Sequence, residues 1–307
     1  MNSREWALIT FTILTQMSVG SFLVLGVVHY YASRKAGIKE ADRLSDYALL
    51  SIIVVFVLAL LASLLHLGNP LNAPRAVTHL ATSWLSREIF CGVVFAVLAA
   101  VFALMQWRKI SSFAVRNVIA WIAAIVGVIL IYIESNVYML PTDPSWNSLA
   151  TPLTFYATTL LLGSLAMGAA FVANYAYIQR KDAADAKVQS ELLRNSLQGI
   201  AVASVILLGV EFVVLPVYVG YLATAGSFAA TASAGLMIGT YGPIFVLRLL
   251  FAFIGADVFG VFLYQIAKSA GNEKTLSYLA YCAFVLVLVA EVLGRFLFYA
   301  TRVRIGV

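Results

Sequence analysis

The sequence predicts an all-α, polytopic membrane protein with eight transmembrane helices and both termini on the outer side. Three observations lead there. The chain has 307 residues, of which 62% are apolar and 11% charged, far more apolar than the roughly 45–50% of soluble domains. Apolar stretches of about 20 residues, the length that crosses a bilayer's hydrocarbon core, recur along its whole length. The basic residues cluster in alternate connections, as they do where cytoplasmic loops retain Lys and Arg.

The spans are expected at roughly 5–32, 45–67, 87–107, 113–140, 152–178, 197–223, 241–267 and 275–301. The first, around Trp6 to Tyr31, is too long for a signal-peptide core and lacks a small-residue cleavage site after it, so it reads as a retained helix. Short connections fit a compact bundle. The longest are 68–86, 179–196 and 224–240, and the second carries Lys181, Asp182, Asp185, Lys187, Glu191 and Arg194, a solvated run. No internal repeat stands out, and the chain reads as one transmembrane domain over 1–307.

Charge sets the orientation. With the N-terminus outside, 13 of the 20 basic residues fall in inner connections and 5 in outer segments, with Arg248 and Arg295 inside spans. The net charge of +6 therefore reports membrane topology, and nothing in it points to nucleic acid. The two cysteines, Cys91 and Cys282, belong at opposite depths, too far apart to bridge. They read as small buried packing residues, and they are too few to ligate an iron–sulfur cluster. Haem needs paired axial ligands. His29 belongs at the inner end of span one and His66 at the outer end of span two, about 30 Å apart, while His79 lies in a loop, so no haem is expected. No metal-binding motif is present.

Ionisable residues inside spans are costly and are functional candidates by default. Glu88, Glu134, Glu211, Arg248, Glu291 and Arg295 all map to the outer half, which points to a polar cavity on that side; Asp257 is the exception, nearer the middle, in a small-residue stretch that suits helix packing. Glu291 and Arg295, four residues apart, are expected to form a structural ion pair, and Glu211 to pair with Arg248 between helices. His66 closes the second span, in His66-Leu67-Gly68-Asn69-Pro70. Glu88 opens the third, in Leu85-Ser86-Arg87-Glu88-Ile89. The two helices are joined by one loop, so the base and the carboxylate belong at one membrane surface. That is the chemistry for oxidising a quinol: His66 accepts one hydroxyl proton, Glu88 accepts another or steadies the imidazolium. Carbonyls freed at Gly68, Asn69 and Pro70 suit the second hydroxyl, and Trp84, Leu67 and Phe90 suit the ring.

The same residues carry a family resemblance that covers most of the chain. It begins with Glu5-Trp6, Phe11-Thr12, Gln16 and Gly20. The strings around His66 and Glu88 follow, then Val137-Tyr138, Ser145-Trp146-Asn147-Ser148 and Thr151-Pro152. It closes with Glu291-Val292-Leu293-Gly294-Arg295-Phe296-Leu297-Phe298-Tyr299. In these the chain resembles the DmsC-type membrane-anchor subunits of the dimethyl sulfoxide reductase family of molybdopterin oxidoreductases. The resemblance implies an anchor in a bacterial or archaeal cytoplasmic membrane that oxidises a quinol, menaquinol or a similar one. Electrons then pass to an iron–sulfur subunit on the outer face and on to a molybdopterin catalytic subunit. It implies no cofactor in this chain, and it places the quinol-site pair on His66 and Glu88. Asn72 stands where relatives often have arginine, with Arg75 the nearest replacement, so both join the expected quinol-binding set. The outer segments 68–86, 141–151, 224–240 and the C-terminal tail are then expected to meet the iron–sulfur partner. Two other readings are open to the residues: a secondary transporter, with Pro216 and Gly239 to Pro243 as helix breaks, and an anchor without quinol chemistry.

Overall fold

The computed structural model describes residues 3–66, 77–181 and 186–306. Among these, eight helical segments are long and apolar enough to cross a membrane. They are α1 (Ser3–Ala36), α2 (Ile38–His66), α3 (Trp84–Arg108), α4 (Phe113–Tyr138), α5 (Ala150–Lys181), α6 (Ala186–Thr224), the interrupted span Gly242–Ile266, and α10 (Glu273–Ala300). A short helix, α7 (Phe228–Gly235), precedes the interrupted span. That span is α8 (Gly242–Ala252) and α9 (Phe259–Ile266), joined by a π-helical turn over Phe253–Val258. Each expected span falls on one of these, although α2 and α6 begin several residues earlier than polarity suggested. Their first two turns carry Glu40, Asp42, Arg43 and Glu191, which reach solvent or a partner while the backbone stays helical.

Local chemistry explains the ends. Gly37 alone separates α1 from α2, at φ +90°, a conformation that glycine adopts without a Cβ clash. Ser83, Ser112 and Ser227 cap α3, α4 and α7, each hydroxyl accepting from the amide three residues on, which satisfies a donor the helix leaves free. The segment 224–240, expected as a loop, is instead α7 followed by a π-helical turn over Leu236–Thr240. Its alanines pack with Leu222 and Tyr218 of α6, which small side chains permit.

α1 and α5 are the most buried spans and form the centre of the bundle. They cross at Gly20 and Gly163, where a Cβ on either residue would overlap the other helix's backbone. Close approach through small residues is the usual packing device where no hydrophobic force drives helices together. Gly255 does the same against α10, with Val287 Cγ2 2.8 Å from where a Cβ would stand. Phe95 of α3 wedges between Phe22 of α1 and Phe56 of α2, at ring separations of 5.9 and 5.0 Å.

Both chain termini emerge at one end of the bundle. Trp6 packs on Phe296 at 6.0 Å, and the Ile305 amide donates to Thr142 O at 2.9 Å. The opposite end is tied by a polar network. Asp42 accepts from Gln106 Nε2 at 2.6 Å and from Lys109 Nζ at 2.8 Å, and meets His29 Nε2 at 2.9 Å, while Lys109 also reaches Asp46. This joins α1, α2 and α3, and gives His29 a structural partner.

Candidate functional site

At the end that carries the termini lies the connection 139–149. Asp143, fully buried, accepts from Arg302 Nη2 at 2.8 Å and pairs with Arg304. Arg302 lies over the Trp146 ring, 4.0 Å from its centroid. Trp146 donates to Phe298 O at 2.8 Å and stacks on the Phe298 ring, and Tyr218 donates to Ser145 O at 2.6 Å. The loop thus locks α4, α6 and α10 together with the C-terminal tail.

α3 begins at Trp84, the residue after its Ser83 cap. Arg87 holds the turn before it, donating to Leu80 O at 2.8 Å and to Ala81 O at 2.6 Å, and lies over the Trp84 ring. One turn into the helix, on the same face as Trp84, Glu88 points inward and is only 5% exposed. α2 ends at His66, and its backbone ends at the same end of the bundle. From the Phe56–Phe95 contact, helical rise carries His66 about 15 Å and Glu88 about 10 Å toward that end. Of His66 the structure describes the backbone alone. Gly68, Asn69, Pro70, Asn72 and Arg75 lie outside the described residues, as does Leu67. Phe90, expected against the ring of a bound quinol, is half exposed. Two residues on from Glu88 it stands about 200° round the helix, so it faces away from the site.

Behind Glu88 the bundle holds polar groups from six other helices. Glu134 of α4 has no exposed surface; it lies within electrostatic range of Glu88 and Arg295 and beside Gln16 of α1. Neither Glu134 oxygen meets the distance and angle of a hydrogen bond, nor does Gln16 Nε2. The expected pairing of Glu291 with Arg295 is not the arrangement found. Arg295 donates to Gln16 Oε1 at 2.9 Å and lies 3.8 Å over the Phe155 ring, while Glu291 Oε2 accepts from Thr158 at 2.7 Å. Each finds a partner on another helix, so the two residues bind α10 to α1 and α5 instead of to one another. Glu211 and Arg248 do pair, at 3.3 Å between α6 and α8. Gly294 leaves room for the Arg248 guanidinium: a Cβ there would stand 2.5 Å from its Nε. A cavity of about 60 Å³ opens beside Thr158, Arg248, Glu291 and Arg295 and runs toward Tyr218 and Ser145.

The ionisable residues mapped to one half of the bilayer therefore converge. Sequence reasoning gave Glu134 no role and quoted Gln16, Tyr138 and Tyr299 only as motif residues. Yet Tyr138 and Tyr299 touch through their hydroxyls at 2.6 Å and lie in electrostatic range of Glu88 and Glu134. The available signal was spacing: Glu134 and Tyr138 are four apart on α4, Glu291, Arg295 and Tyr299 four apart on α10, each set one face of a helix. Asp257 sits in the π-helical turn and is partly exposed. Both cysteines are free, and Cys282 is exposed on the outside of the bundle, so burial does not explain it. Among the described residues no group of three His, Cys, Asp or Glu side chains is placed to hold a metal ion.

The chain is similar over nearly its whole length to three curated proteins. It is 26% identical over 308 residues to the C subunit of the anaerobic dimethyl sulfoxide reductase of Escherichia coli (strain K12), covering 99% of this chain and 96% of the relative. It is 26% identical over 303 residues to the protein of that name from Haemophilus influenzae (strain ATCC 51907 / DSM 11121 / KW20 / Rd), covering 98% and 96%. The YnfH subunit of an anaerobic dimethyl sulfoxide reductase of E. coli (strain K12) is again 26% identical over 303 residues, covering 99% and 96%. The family model described as the DMSO reductase anchor subunit (DmsC) matches residues 1–301, and with that match spanning every helix described above, the chain belongs to the DMSO reductase anchor subunit family.

Proposed function

We propose that this chain anchors a dimethyl sulfoxide reductase-like complex in the cytoplasmic membrane and oxidises a quinol, menaquinol by preference, at a site between His66 and Glu88. One observation carries the reading: Glu88 is withdrawn from solvent at the bundle end where α2 stops at His66. A buried carboxylate is expensive in a membrane unless it is used or paired, and family membership supplies the complex for which a quinol oxidant is needed.

The residues divide the work by chemistry. His66 accepts a proton from one quinol hydroxyl at an imidazole nitrogen; Glu88 accepts the other. Both quinol O–H bonds break, and two electrons leave for an iron–sulfur subunit docked on the same end, then for a molybdopterin subunit that reduces the terminal acceptor. This chain has two cysteines, short of the four thiolates such a cluster takes, so the acceptor belongs to the partner. Trp84, one turn before Glu88, holds one side of the ring. Gly68, Asn69, Pro70, Asn72 and Arg75, in the connection between the helices, complete the pocket.

The test is His66→Ala and Glu88→Gln in the assembled membrane complex. Quinol-supported turnover should fall about 10²–10⁴-fold, the usual cost of a positioned acid–base group. An artificial donor that reduces the partner subunits directly should restore activity. Normal quinol oxidation in both variants would refute the site, and an equal loss with the artificial donor would assign the residues to assembly.

A further inference from the structure

Between α1 and α6 the bundle leaves a groove of about 850 Å³, a volume ordinary for a ligand site, where about 300–1,000 Å³ is usual. Leu160 and Ser164 of α5 form its floor. It starts beside the Gly20–Gly163 crossing, at Leu23 and Ser164, and runs toward the end opposite the termini, where Tyr31 of α1 and Tyr264 of α9 flank it. Along α6 it extends from Leu207 to Asn195, about 18 Å of helical rise. One leaflet supplies half of a hydrocarbon core about 30 Å thick, so the groove is as deep as one leaflet.

Its two ends differ in chemistry. The deep part is aliphatic, with Leu23, Val27, Leu160, Val202, Ile206 and Leu207 along it. Val27 is 70% and Ile206 60% exposed, so the groove is open at the side of the bundle. The other end is polar, with Asn195, Gln198, Tyr31 and Tyr264. Asn195 Nδ2 is buried there without a hydrogen-bond partner, and leaving a buried donor unmade is costly. An aliphatic occupant leaves it so; an ester or phosphate oxygen accepts from it. Basic side chains stand at the same end. Lys268 Nζ lies 4.6 Å from the centroid of the Tyr264 ring. Lys35, one turn past Tyr31 and within its electrostatic range, pairs with Glu191 at 2.7 Å. Lys187 and Arg194 also lie in electrostatic range of Glu191, so positive charge exceeds negative among these five groups.

We propose that the groove binds one anionic phospholipid of the leaflet opposite the termini. An acyl chain lies along α1 and α6, Asn195 Nδ2 donates to an ester or phosphate oxygen, and Lys35 and Lys268 attract the headgroup's negative charge. Basic pockets between membrane helices are suited to anionic headgroups. A zwitterionic headgroup brings an ammonium of its own toward the lysines and gains less, and a quinone brings no charge for them. The lipid fills space that helix packing leaves open and ties α1 to α6 and α9. The site shares no residue with the His66 and Glu88 region, so it stands independently of the quinol reading.

The experiment uses the assembled complex, purified in mild detergent and stripped of loosely held lipid. It is titrated with phosphatidylglycerol, phosphatidylcholine or a short-chain menaquinone, and bound mass is read by native mass spectrometry. Gly199 lines the groove, and a Cβ there meets nothing within 4 Å, so Gly199→Leu fills the groove without a clash in the helix. The unmodified complex should retain one more phosphatidylglycerol than Gly199→Leu does, and should hold it in preference to phosphatidylcholine. Lys268→Glu should weaken phosphatidylglycerol binding about tenfold and leave phosphatidylcholine unaffected. Added phosphatidylglycerol should raise the thermal midpoint of the unmodified complex and not that of Gly199→Leu, because only a ligand that binds the folded state stabilises it. Equal retention in Gly199→Leu overturns the site, and equal affinity for the two phospholipids overturns the anionic assignment. Menaquinone held in the lipid's place, or a paired complex that Gly199→Leu separates, overturns the phospholipid as occupant. Should Gly199→Leu fail to assemble, undiminished phosphatidylglycerol binding in Asn195→Leu/Lys268→Glu overturns the proposal equally.

Discussion

Glu211 and Arg248 show how a single side chain decides the fate of its neighbour. Both are almost fully buried and they pair at 3.3 Å across α6 and α8. Replacing Glu211 with Leu strands a guanidinium inside the bundle, and removing one partner of a buried pair typically costs about 3–5 kcal/mol. Glu211→Leu should therefore lower the denaturant midpoint of the purified chain sharply. The double variant Glu211→Leu/Arg248→Leu should recover most of the loss, because two apolar side chains there leave no charge uncompensated. If the double variant is as unstable as the single one, the pair is not what the interior depends on. Arg295 is held differently, by the Gln16 amide carbonyl and the Phe155 ring, so Glu291 and Arg295 answer to separate helices even though one turn of α10 carries both.

The element that most constrains the bundle is the α1–α5 crossing. Thr159 O and the Gly163 backbone come so near Gly20 that no Cβ fits between them. Gly163→Ala must push the two central helices apart and disturb every helix packed on them. Overpacking a tight core commonly costs about 1–3 kcal/mol. The expected outcome is a lower thermal midpoint and faster proteolysis of the purified chain, with Gly168→Ala as the control, since its Cβ would meet only ordinary contacts at 3.5 Å and beyond. Equal stability of the two variants would show that the crossing relaxes at no cost. The 139–149 connection is the opposite kind of element, rigid because Asp143, Trp146 and Ser145 are each bound to a different part of the bundle.

At the scale of the whole molecule, the end that carries the termini presents apolar side chains where a membrane protein normally meets water. Leu149 is 77% and Phe228 84% exposed, one beside the start of α5 and the other at the start of α7. Both lie in segments, 141–151 and 224–240, that are proposed to meet an iron–sulfur partner, and an interface there would cover them. Leu149→Asp with Phe228→Asp should release the partner subunits from purified membranes while the anchor itself stays inserted; retention of a full complex would place the interface elsewhere. Orientation is predicted from charge. Thirteen basic residues belong to connections at the far end and five to the end with the termini, so reporter fusions at Met1 and Val307 should score as outside, and fusions that score as cytoplasmic would reverse the topology.

Much of this was legible in the residues themselves. Hydrophobic length alone places eight spans, because a helix that crosses lipid must be apolar for about 20 residues whatever it packs against. The same rule leaves in-span charges conspicuous, so Glu88, Glu134, Glu211, Arg248, Glu291 and Arg295 stood out as a set, and motif spacing tied the chain to its family. Partners were not legible. The i,i+4 spacing of Glu291 and Arg295 satisfies local geometry, but Gln16 and Thr158, far away in sequence, supply better-placed atoms. Nor did sequence show that 224–240 folds into a helix, since its small side chains gain stability only against α6, or that Glu134 stands behind Glu88, since depth within a bundle depends on how far each helix is rotated. Composition determines which segments enter the membrane; the rotation and close approach of those segments decide which buried charges meet.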